Sequence, residues 1–524
     1  MKQEAGFLFR IAAQHHPDRI ALTYKGSDLT FAELNVLANR FGSGLLQHGL
    51  SKGDRVAVLS YNRPELVQAW LGLEKFALVR TALHTHTPLE DQVELLKHVE
   101  ARALVFDTAF ADQIDSVRDA LSPHTVFVAF GEDCPEWAVS SSEVSDAGSP
   151  EDPYIEVDEN DACFLQLTSG TTGMSKPWVK TYRSWAAVIT QNTIHLDTFT
   201  DQPAVDENDV NLHFHPLQWA SGFQTLYPYL LRGARTVLLS DEEFDADEVV
   251  DLLIAEKVTG TFAPGPLLSA ILDVLASRGS SDLSLKRIVV FFGSKDLLER
   301  TTSLIGPIWA HGFGATEQGA VTTRLLPSDV ANGGEHRLES VGRPASPNIE
   351  IATVDPEGRR LPARSVGEIV VRSAMSDGRY WGLADKTEAA YFPNDWFRSG
   401  DVGYIDSDGY LFYGDRAGDT IRLDDNVIYP HIIEASLLAH EDVANCGVVY
   451  LEGDRQPSIV AAVTLKPRRQ ATDDLHQALK VLTSAHLSEV AVPGDVVFLD
   501  ELPTVLGGAK VQRGALRVLL QEAP

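Results

Sequence analysis

The chain of 524 residues is longer than a single hydrophobic core usually supports, so we expect two or more domains. Hydrophobic residues make up 44% of it, as in a globular protein, and the net charge of −30 disfavours nucleic acid and anionic membranes as main partners. Cys134, Cys163 and Cys446 lie far apart and match neither a metal site nor a disulfide framework, which fits a reducing compartment. No stretch reaches the roughly 18 apolar residues of a membrane helix, and residues 1–24 lack the pattern of a signal peptide, so we expect a soluble cytoplasmic protein.

Helical and strand patterns alternate through the first two thirds of the chain. Apolar residues at helical spacing follow Thr30, a good N-cap, and this pattern ends near Gly49. The elements predicted here are helices over 30–50 and 64–78, strands over 54–60 and 102–107, and a helix, a strand and a helix within 249–279. Such alternation predicts an α/β fold with a largely parallel sheet. The acidic segment 131–162 has no apolar period and is predicted to be a surface connection.

The pattern changes from about Glu350 onward. Short strands are separated by Asp-Pro-Glu-Gly and Asp-Ser-Asp-Gly turns, which predicts an antiparallel, barrel-like β piece. After Asp415, a helix, two strands and a further helix predict a small α+β unit. We therefore predict a large N-terminal domain of α/β subdomains and a β piece over 1–414, followed by a small C-terminal α+β domain over 415–524.

The stretch "LQLTSGTTGMSKPWVKTY", residues 165–182, is dense in small hydroxylated residues. Such a loop is costly to order because glycine-rich backbone loses much entropy on folding. A polyphosphate ligand would offset that cost, since it needs close backbone approach, hydroxyl donors and a cation such as Lys176. A mobile surface linker explains the same composition, and this stretch alone leaves both interpretations open.

Four further stretches follow in a fixed order. They are "PLQWASGFQTLYPYLLRG" at 216–233, "HGFGATEQG" at 311–319, "WFRSGDVGYIDSDGYLFYGDRAGDTIR" at 396–422 and "GGAKVQRGALR" at 507–517. Together with the loop at 168–176 they resemble the adenylate-forming superfamily of AMP-dependent synthetases and ligases. That superfamily includes acyl-CoA synthetases, nonribosomal adenylation domains and firefly luciferase. The resemblance covers nearly the whole chain.

The resemblance implies a site for ATP and Mg²⁺. The expected ATP-binding residues are Thr168, Ser169, Gly170, Thr171, Thr172, Gly173, Lys176, Ser294, Phe313, Gly314, Ala315, Thr316, Asp401 and Arg416. Phe313 would stack on adenine, and Asp401 would accept hydrogen bonds from the ribose hydroxyls. Taken singly, these two residues have plainer interpretations, with Phe313 as a core residue and Asp401 as a turn residue.

The catalytic residues expected from the resemblance are Lys510, Glu317 and Thr168. Glu317 would hold Mg²⁺, because hard cations prefer oxygen ligands. Lys510 would neutralise the charge that grows at the α-phosphate in the transition state. Alone, a glutamate such as Glu317 is more often a plain surface acid, and a lysine near the end of a chain is usually solvated.

The expected acid pocket contains Trp219, Gly222, Phe223, Gly293 and Lys295. The pocket loop "FFGSKDL" carries charge where the superfamily has small residues, so Lys295 either faces the substrate or points to solvent. The aromatic residues of the pocket favour an aromatic or flat acid, although such residues are common in cores. The resemblance also places a hinge between the two domains at Gly418.

The implied activity is AMP-forming activation of an oxyacid, followed by transfer to an acceptor. CoA is the default acceptor of the superfamily, but Asp425 stands where a glycine usually lets the pantetheine arm pass. A carboxylate there adds bulk and repels anionic CoA, so we expect CoA to accelerate turnover little. The alternatives are an amine or carrier-protein acceptor, an inorganic oxyacid such as nitrite, or a nucleotide-binding pseudoenzyme. The last is disfavoured because Lys176, Glu317, Asp401, Arg416 and Lys510 are all present.

Overall fold

The computed structural model describes residues 1–168, 175–198, 202–279, 282–319, 321–423, 426–451, 458–466, 468–486, 489–505 and 510–522. The three cysteines are free thiols. Among the described residues, no helix combines the length and apolarity that crossing a bilayer requires.

Residues 1–158 alternate strands and helices. The strands are β1 (Lys2–Glu4), β2 (Ile20–Tyr24), β3 (Ser27–Thr30), β4 (Arg55–Leu59), β5 (Val79–Ala82), β6 (Ala101–Asp107), β7 (Val126–Phe130), β8 (Val139–Ser140) and β9 (Glu156–Asp158). The helices are α1 (Phe7–His15), α2 (Phe31–Gln47), α3 (Pro64–Lys75), α4 (Leu89–His98), α5 (Ala111–Val117) and α6 (Ser141–Ala147), with 3₁₀ turns at Thr108–Phe110 and Arg118–Ala120. α2 begins as predicted because Thr30 and Glu33 form a reciprocal capping box.

The prediction of a surface connection over 131–162 is wrong. This segment contains β8, α6 and β9, and Val144 of α6 is fully buried. α6 packs so closely on α2 that a Cβ at Gly44 would lie 1.8 Å from the Val144 carbonyl oxygen. A helix of 7 residues with one buried apolar side chain is too short to produce a visible apolar period.

Residues 162–311 continue the alternation. The strands are β10 (Ala162–Thr168), β11 (Lys176–Thr181), β12 (Val210–His213), β13 (Arg235–Leu238), β14 (Gly260–Pro264), β15 (Arg287–Phe291) and β16 (Trp309–His311). The helices are α7 (Tyr182–Asp197), α8 (Ala220–Leu231), α9 (Ala246–Ala255), α10 (Gly265–Arg278) and α11 (Lys295–Ile305).

Two large sheets result. The order of the eight-stranded sheet is β21-β11-β10-β5-β4-β6-β7-β8, where β21 is Arg379–Tyr380, and the order of the seven-stranded sheet is β16-β15-β14-β12-β13-β2-β3. Their central strands are parallel, as predicted. The largest apolar core joins Val58 of β4, Leu22 of β2 and the buried faces of α2, α3, α7 and α8, so these helices pack between the sheets.

Residues 323–416 form a β region, which starts earlier than the predicted β piece that begins near Glu350. Besides β21, the strands are β17 (Thr323–Arg324), β18 (Arg343–Pro344), β19 (Glu350–Val354), β20 (Gly367–Arg372), β22 (Phe397–Ile405) and β23 (Leu411–Arg416). The helices are α12 (Pro327–Gly333) and α13 (Ala384–Ala389), with a 3₁₀ turn at Glu335–Glu339. β19, β20, β22 and β23 make a four-stranded antiparallel sheet in that order.

The C-terminal part has its own α+β core, as predicted. The strands are β24 (Ile421–Leu423), β25 (Asn426–Ile428), β26 (Val443–Leu451), β27 (Ser458–Leu465), β28 (Asp495–Phe498), β29 (Thr504–Val505) and β30 (Lys510–Val511). The helices are α14 (Pro430–Leu438), α15 (Asp473–His486) and α16 (Arg513–Glu522), with a 3₁₀ turn at Glu489–Ala491. β26, β27 and β28 form one sheet, and its apolar side chains pack against α14 and α15.

Candidate active site

A β-hairpin holds both ends of the predicted phosphate loop. β10 and β11 are antiparallel, and Thr168 lies directly opposite Lys176 in their register. Thr168 is buried, whereas Lys176 is half-buried. The loop residues predicted to bind phosphate, Ser169, Gly170, Thr171, Thr172 and Gly173, lie outside the described residues. The pairing therefore fixes where the loop starts and ends. The role of the loop in phosphate binding stays a prediction.

Tyr380 connects this hairpin to Glu317. β21 pairs with β11, which places Tyr380 opposite Trp178. The Tyr380 hydroxyl donates a hydrogen bond to Glu317 Oε1 at 2.9 Å, and the Lys176 ammonium lies 5.7 Å from the centre of the Tyr380 ring. Burial and the nearby Glu317 carboxylate raise the pKa of Tyr380 far above its usual range, so the hydroxyl stays a donor.

Asp401 and Arg416 form a second pair close by. They lie opposite each other on β22 and β23, and Arg416 Nε is 3.1 Å from Asp401 Oδ1. Asp401 is 2% exposed, and Arg416 Nη1 also donates to the Ser399 carbonyl at 2.9 Å. Burial lowers the pKa of Arg416, but the carboxylates of Asp401 and Glu317 offset this and raise it overall. Glu317 is thus close enough to act electrostatically on both Tyr380 and Arg416.

The segment 312–317 leads from β16 to Glu317. Gly312 is required there, because a Cβ would lie 2.6 Å from the Thr323 carbonyl oxygen. Phe313 is 9% exposed, and its ring lies 5.6 Å from that of Tyr413. Its predicted contact with adenine stays a prediction. The other predicted residues of the segment are half-buried: Gly314, Ala315 and Thr316.

A single carboxylate such as Glu317 fits the usual way proteins hold Mg²⁺. That ion commonly takes one or two carboxylates, together with phosphate oxygens and water, rather than a complete protein cage. The described residues contain no group of three or more His, Cys, Asp or Glu side chains placed to hold a metal. Glu317 would therefore hold the ion jointly with a bound nucleotide.

α8 carries three of the residues predicted for the acid pocket. Trp219 is its N-cap residue and is half-buried. Gly222 must be glycine, because a Cβ would lie 2.3 Å from the Leu217 carbonyl oxygen. The Phe223 ring lies 4.3 Å from that of Trp70 and belongs to the main core.

The pocket loop after β15 is held in an unusual conformation. Phe292 has φ 58° and is 54% exposed, which is rare for a bulky residue. Gly293 packs over His311, whose Cδ2 would lie 3.3 Å from a Cβ at that position. The exposed Ser294 caps α11 by accepting a hydrogen bond from the Leu297 amide at 3.2 Å. Its predicted part in ATP binding stays a prediction.

Lys295 is the first residue of α11. Its side chain is 37% exposed, and Nζ lies 3.8 Å from Glu299 Oε1, one helical turn away. This is the geometry of a surface ion pair. It favours the solvent-facing alternative for Lys295.

An arginine bridges the two sides of the predicted hinge. Arg513 Nη1 lies 3.1 Å from Asp415 Oδ1, before Gly418, and 3.4 Å from Asp419 Oδ2, after it. Arg513 Nη2 also binds Glu434 at 2.7 Å. Burial lowers the pKa of Arg513, but these carboxylates raise it overall, so the guanidinium stays charged. Lys510 is the first residue of β30 and its backbone pairs with Val505 of β29, but the Lys510 side chain lies outside what the structure describes.

The sequence reasoning missed Lys180, which lies four residues after Lys176 on β11. Alternating side chains place both lysines on one face of the strand. Lys180 is fully buried and donates to the Met375 carbonyl at 3.2 Å. Burial lowers its pKa to about 7, although the Glu317 carboxylate opposes this. Tyr380 was missed as well, because only strand pairing brings it to Glu317.

Lys180→Met is expected to stabilise the protein at pH 7 by about 2–4 kcal/mol. A folded pKa of about 7, below the ordinary 10.5, means that the unfolded chain binds more protons between these pH values. The unfolding free energy of the wild type therefore rises from about pH 7 to 10.5, and the advantage of the variant shrinks by about 1.4 kcal/mol per pH unit. Denaturant unfolding at pH 7, 8 and 9 measures this.

The exposed Lys97→Met is the matched control, and it should change the unfolding free energy by less than about 0.5 kcal/mol at each pH. A gain in Lys180→Met that is equal at pH 7 and pH 9 would contradict the lowered pKa.

Comparison with known proteins gives consistent matches. The family model for AMP-binding enzyme matches residues 9–381, and the model for the AMP-binding enzyme C-terminal domain matches residues 432–506. A fatty acid–[acyl-carrier-protein] ligase of Streptomyces coeruleorubidus is 29% identical over 96% of this chain and 94% of its own. An indoleacetate–CoA ligase of Aromatoleum aromaticum is 29% identical over 96% of each chain.

Solved structures share the fold. An anthranilate CoA ligase in complex with anthranoyl-AMP superposes with a TM-score of 0.89 at 23% identity, over 99% of this chain and 97% of its own. The O-succinylbenzoate CoA synthetase of Bacillus subtilis, in complex with AMP, gives a TM-score of 0.83 at 25% identity, over 100% and 99%. The predicted α/β fold with a large N-terminal and a small C-terminal domain is thus confirmed. With the family model covering most of its length, the chain belongs to the AMP-binding enzyme family of the adenylate-forming superfamily.

Proposed function

We propose that the protein activates a small carboxylic acid with ATP and transfers the acyl group to the thiol of CoA. The observation that carries this is the convergence of Lys176, Tyr380 and Glu317 with the Asp401–Arg416 pair in an AMP-binding enzyme. These groups can bind each part of a nucleoside triphosphate: cations for the phosphates, a carboxylate for the metal ion and a carboxylate for the ribose hydroxyls.

In the first step, a carboxylate oxygen of the acid attacks the α-phosphorus of ATP. The bond from that phosphorus to the bridging oxygen of the β-phosphate breaks, which gives the acyl-adenylate and pyrophosphate. The acid is already ionised at neutral pH, so this step needs no general base. Positioning and charge neutralisation carry the catalysis.

The chain's own residues would act on separate parts of ATP. Lys176 would neutralise the terminal phosphates from the hairpin edge, and Asp401 would accept hydrogen bonds from the ribose. Glu317, oriented by Tyr380, would hold Mg²⁺, whose charge stabilises the phosphates when it is bound. Lys510 would approach the α-phosphate from the C-terminal domain.

In the second step, the acceptor thiolate attacks the acyl carbon and AMP leaves, while the thiol proton goes to solvent. Relatives are named as ligases for CoA or for acyl-carrier protein, and both names describe thioester formation. They support a thiol acceptor despite the argument from Asp425. Residues 424–425 lie outside the described residues, so that argument rests on the sequence alone.

The two steps imply a rotation of the small domain about Gly418. We place the boundary between residues 414 and 415, so that Asp415 lies at the joint and Glu434 and Arg513 lie within the small domain. A Cβ at Gly418 would meet no atom within 4 Å, so packing does not require glycine there. Glycine at this position supports a hinge through its backbone freedom.

Lys510→Ala is expected to lower the rate of adenylate formation by about 10²–10³, as for loss of one donor in a preorganised site. Binding of ATP should change by no more than a few fold, because the charge acts mainly in the transition state. Pyrophosphate release under single-turnover conditions measures the rate, with the exposed Lys466→Ala as control. Wild-type pyrophosphate release by Lys510→Ala would contradict the assigned role.

Tyr380→Phe is expected to raise the apparent KM for Mg²⁺ at fixed ATP about tenfold. It removes a hydrogen bond to a carboxylate, a contact worth about 1.5–3 kcal/mol. Titration of Mg²⁺ against pyrophosphate release measures this. Tyr391→Phe is the matched control, because its hydroxyl donates to the carbonyls of Ser376 and Gly378 instead. Equal effects of the two variants would mean that Tyr380 acts only through stability.

Asp425→Gly tests the acceptor. If CoA is the acceptor, wild type forms AMP and thioester in equal amounts, and the variant changes the thioester rate by less than about threefold. If Asp425 repels CoA, wild type accumulates adenylate, and the variant forms thioester at least tenfold faster, since like charges about 4 Å apart cost on the order of 4 kcal/mol. The same assay with acyl-carrier protein in place of CoA distinguishes the two thiol sources. Absence of pyrophosphate release with every acid would overturn the proposed function.

A further inference from the structure

A small cavity lies beside the predicted acid pocket, between α7, α8 and the seven-stranded sheet. Its lining includes Asn192 of α7, Gln224 and Thr225 of α8, and Thr261 and Phe262 of β14. The Phe262 ring is 5.5 Å from that of Phe291, two residues before Gly293. The cavity therefore adjoins the pocket loop directly.

The cavity is deeper in the fold than the nucleotide residues. Glu317 and Gly293 follow the carboxyl ends of β16 and β15, where ligands of parallel sheets bind. Asn211, Thr261 and Val289, which line the cavity, lie within their strands. An acid with its carboxylate near Gly293 and Glu317 would point its far end into this cavity.

Two amide side chains in the cavity have unused hydrogen-bonding atoms. Both Oε1 and Nε2 of Gln224 are buried and make no hydrogen bond to protein, and the same holds for Oδ1 of Asn192. Asn192 is fixed in place, because its Nδ2 donates to the main-chain carbonyl of Gln224 at 3.2 Å. Buried polar groups in native proteins normally have a hydrogen-bond partner. We therefore expect the partner of these atoms to be a group that is not part of the protein.

The lining carries no formal charge at neutral pH. Its other polar side chains are hydroxyls and an amide, together with His195, whose pKa burial lowers to about 3. A charged group placed here would lose its hydration without an opposite charge in return. The space is also small, with room for about one water-sized group.

From these contacts we infer that the preferred acid carries a small neutral hydrogen-bonding group, such as a hydroxyl, at the end remote from its carboxylate, and that Gln224 and Asn192 recognise it. The hydroxyl would donate to an amide oxygen and accept from Gln224 Nε2. An alkyl tail would leave the buried amides unsatisfied, and a second carboxylate would be buried unpaired. The inference deepens the proposed function and rests on it.

The test compares isosteric acids that differ only in a hydroxyl and a methyl group. The probes are 4-hydroxybenzoate against 4-methylbenzoate and 5-hydroxypentanoate against hexanoate. For at least one pair, wild type should prefer the hydroxyl member by about 10- to 100-fold in kcat/KM for pyrophosphate release, which corresponds to about 1.4–2.8 kcal/mol. Gln224→Leu should reduce this preference to less than about threefold and raise kcat/KM for the methyl member.

Gln191→Leu is the matched control. Gln191 is the neighbour of Asn192 on α7, is equally buried and has an equally unsatisfied amide, but it does not line the cavity. Its substitution should leave the ratio within each pair unchanged. If Gln224→Leu folds poorly, Asn192→Leu tests the same site and should also reduce the preference for the hydroxyl member.

Acid binding without ATP separates this inference from the proposed function. The hydroxyl member should raise the Tm of wild type more than the methyl member does, and Gln224→Leu should lose the difference. This result without any pyrophosphate release would support the cavity and overturn the ligase function. Equal binding and turnover of both members, or an unchanged ratio in Gln224→Leu, would show that the cavity holds only water and would overturn the inference.

Discussion

The arrangement of the site depends on the pairing of β11 with β10 on one side and β21 on the other. One pairing closes the β10–β11 hairpin at Thr168 and Lys176, and the other brings Tyr380 to Glu317. A shift of β11 by one residue would turn Lys176 and Lys180 to the opposite face. Trp178 secures the register, because its buried ring packs on Tyr380 and leaves no space for a side chain at Gly378, where a Cβ would lie 2.6 Å away.

The site places cations beside its carboxylates in a protein whose net charge is −30. Lys176 and Arg416 lie near Glu317 and Asp401, so the site is close to neutral before a nucleotide arrives. Burial lowers the pKa of Lys180 to about 7, so an anionic group that came close to it would favour its protonated form. The acidic exterior would repel a polyanion only weakly at this site, because salt screens charges that lie farther away than about a Debye length.

Sequence patterns predicted those helices and strands that have clear periods and turns at their ends, such as α2, β4, α9 and β26. They also predicted the family, because five motifs occurred in order. They could not predict Tyr380, Lys180 or Gln224, whose importance depends on strand pairing and on which helix face meets the cavity. Phe223 shows the difference: its neighbour Gln224 faces the cavity, whereas Phe223 packs on Trp70, and one residue along a helix changes the direction by about 100°.

The ion pairs around Gly418 are compatible with a moving small domain. Arg513 binds both Asp415 and Glu434, but Glu434 lies on α14 and would travel with it. Rotation about Gly418 would break the contact to Asp415 while Glu434 still neutralises the guanidinium. Asp415 would keep the hydrogen bond from the Arg416 amide, at 2.8 Å, because that donor is its own neighbour. The Arg513 guanidinium would thus keep a counter-charge throughout, whereas Asp415 would lose Arg513 and the hydrogen bond from the His431 amide, so the network favours the present orientation without involving every ion of the hinge in the change.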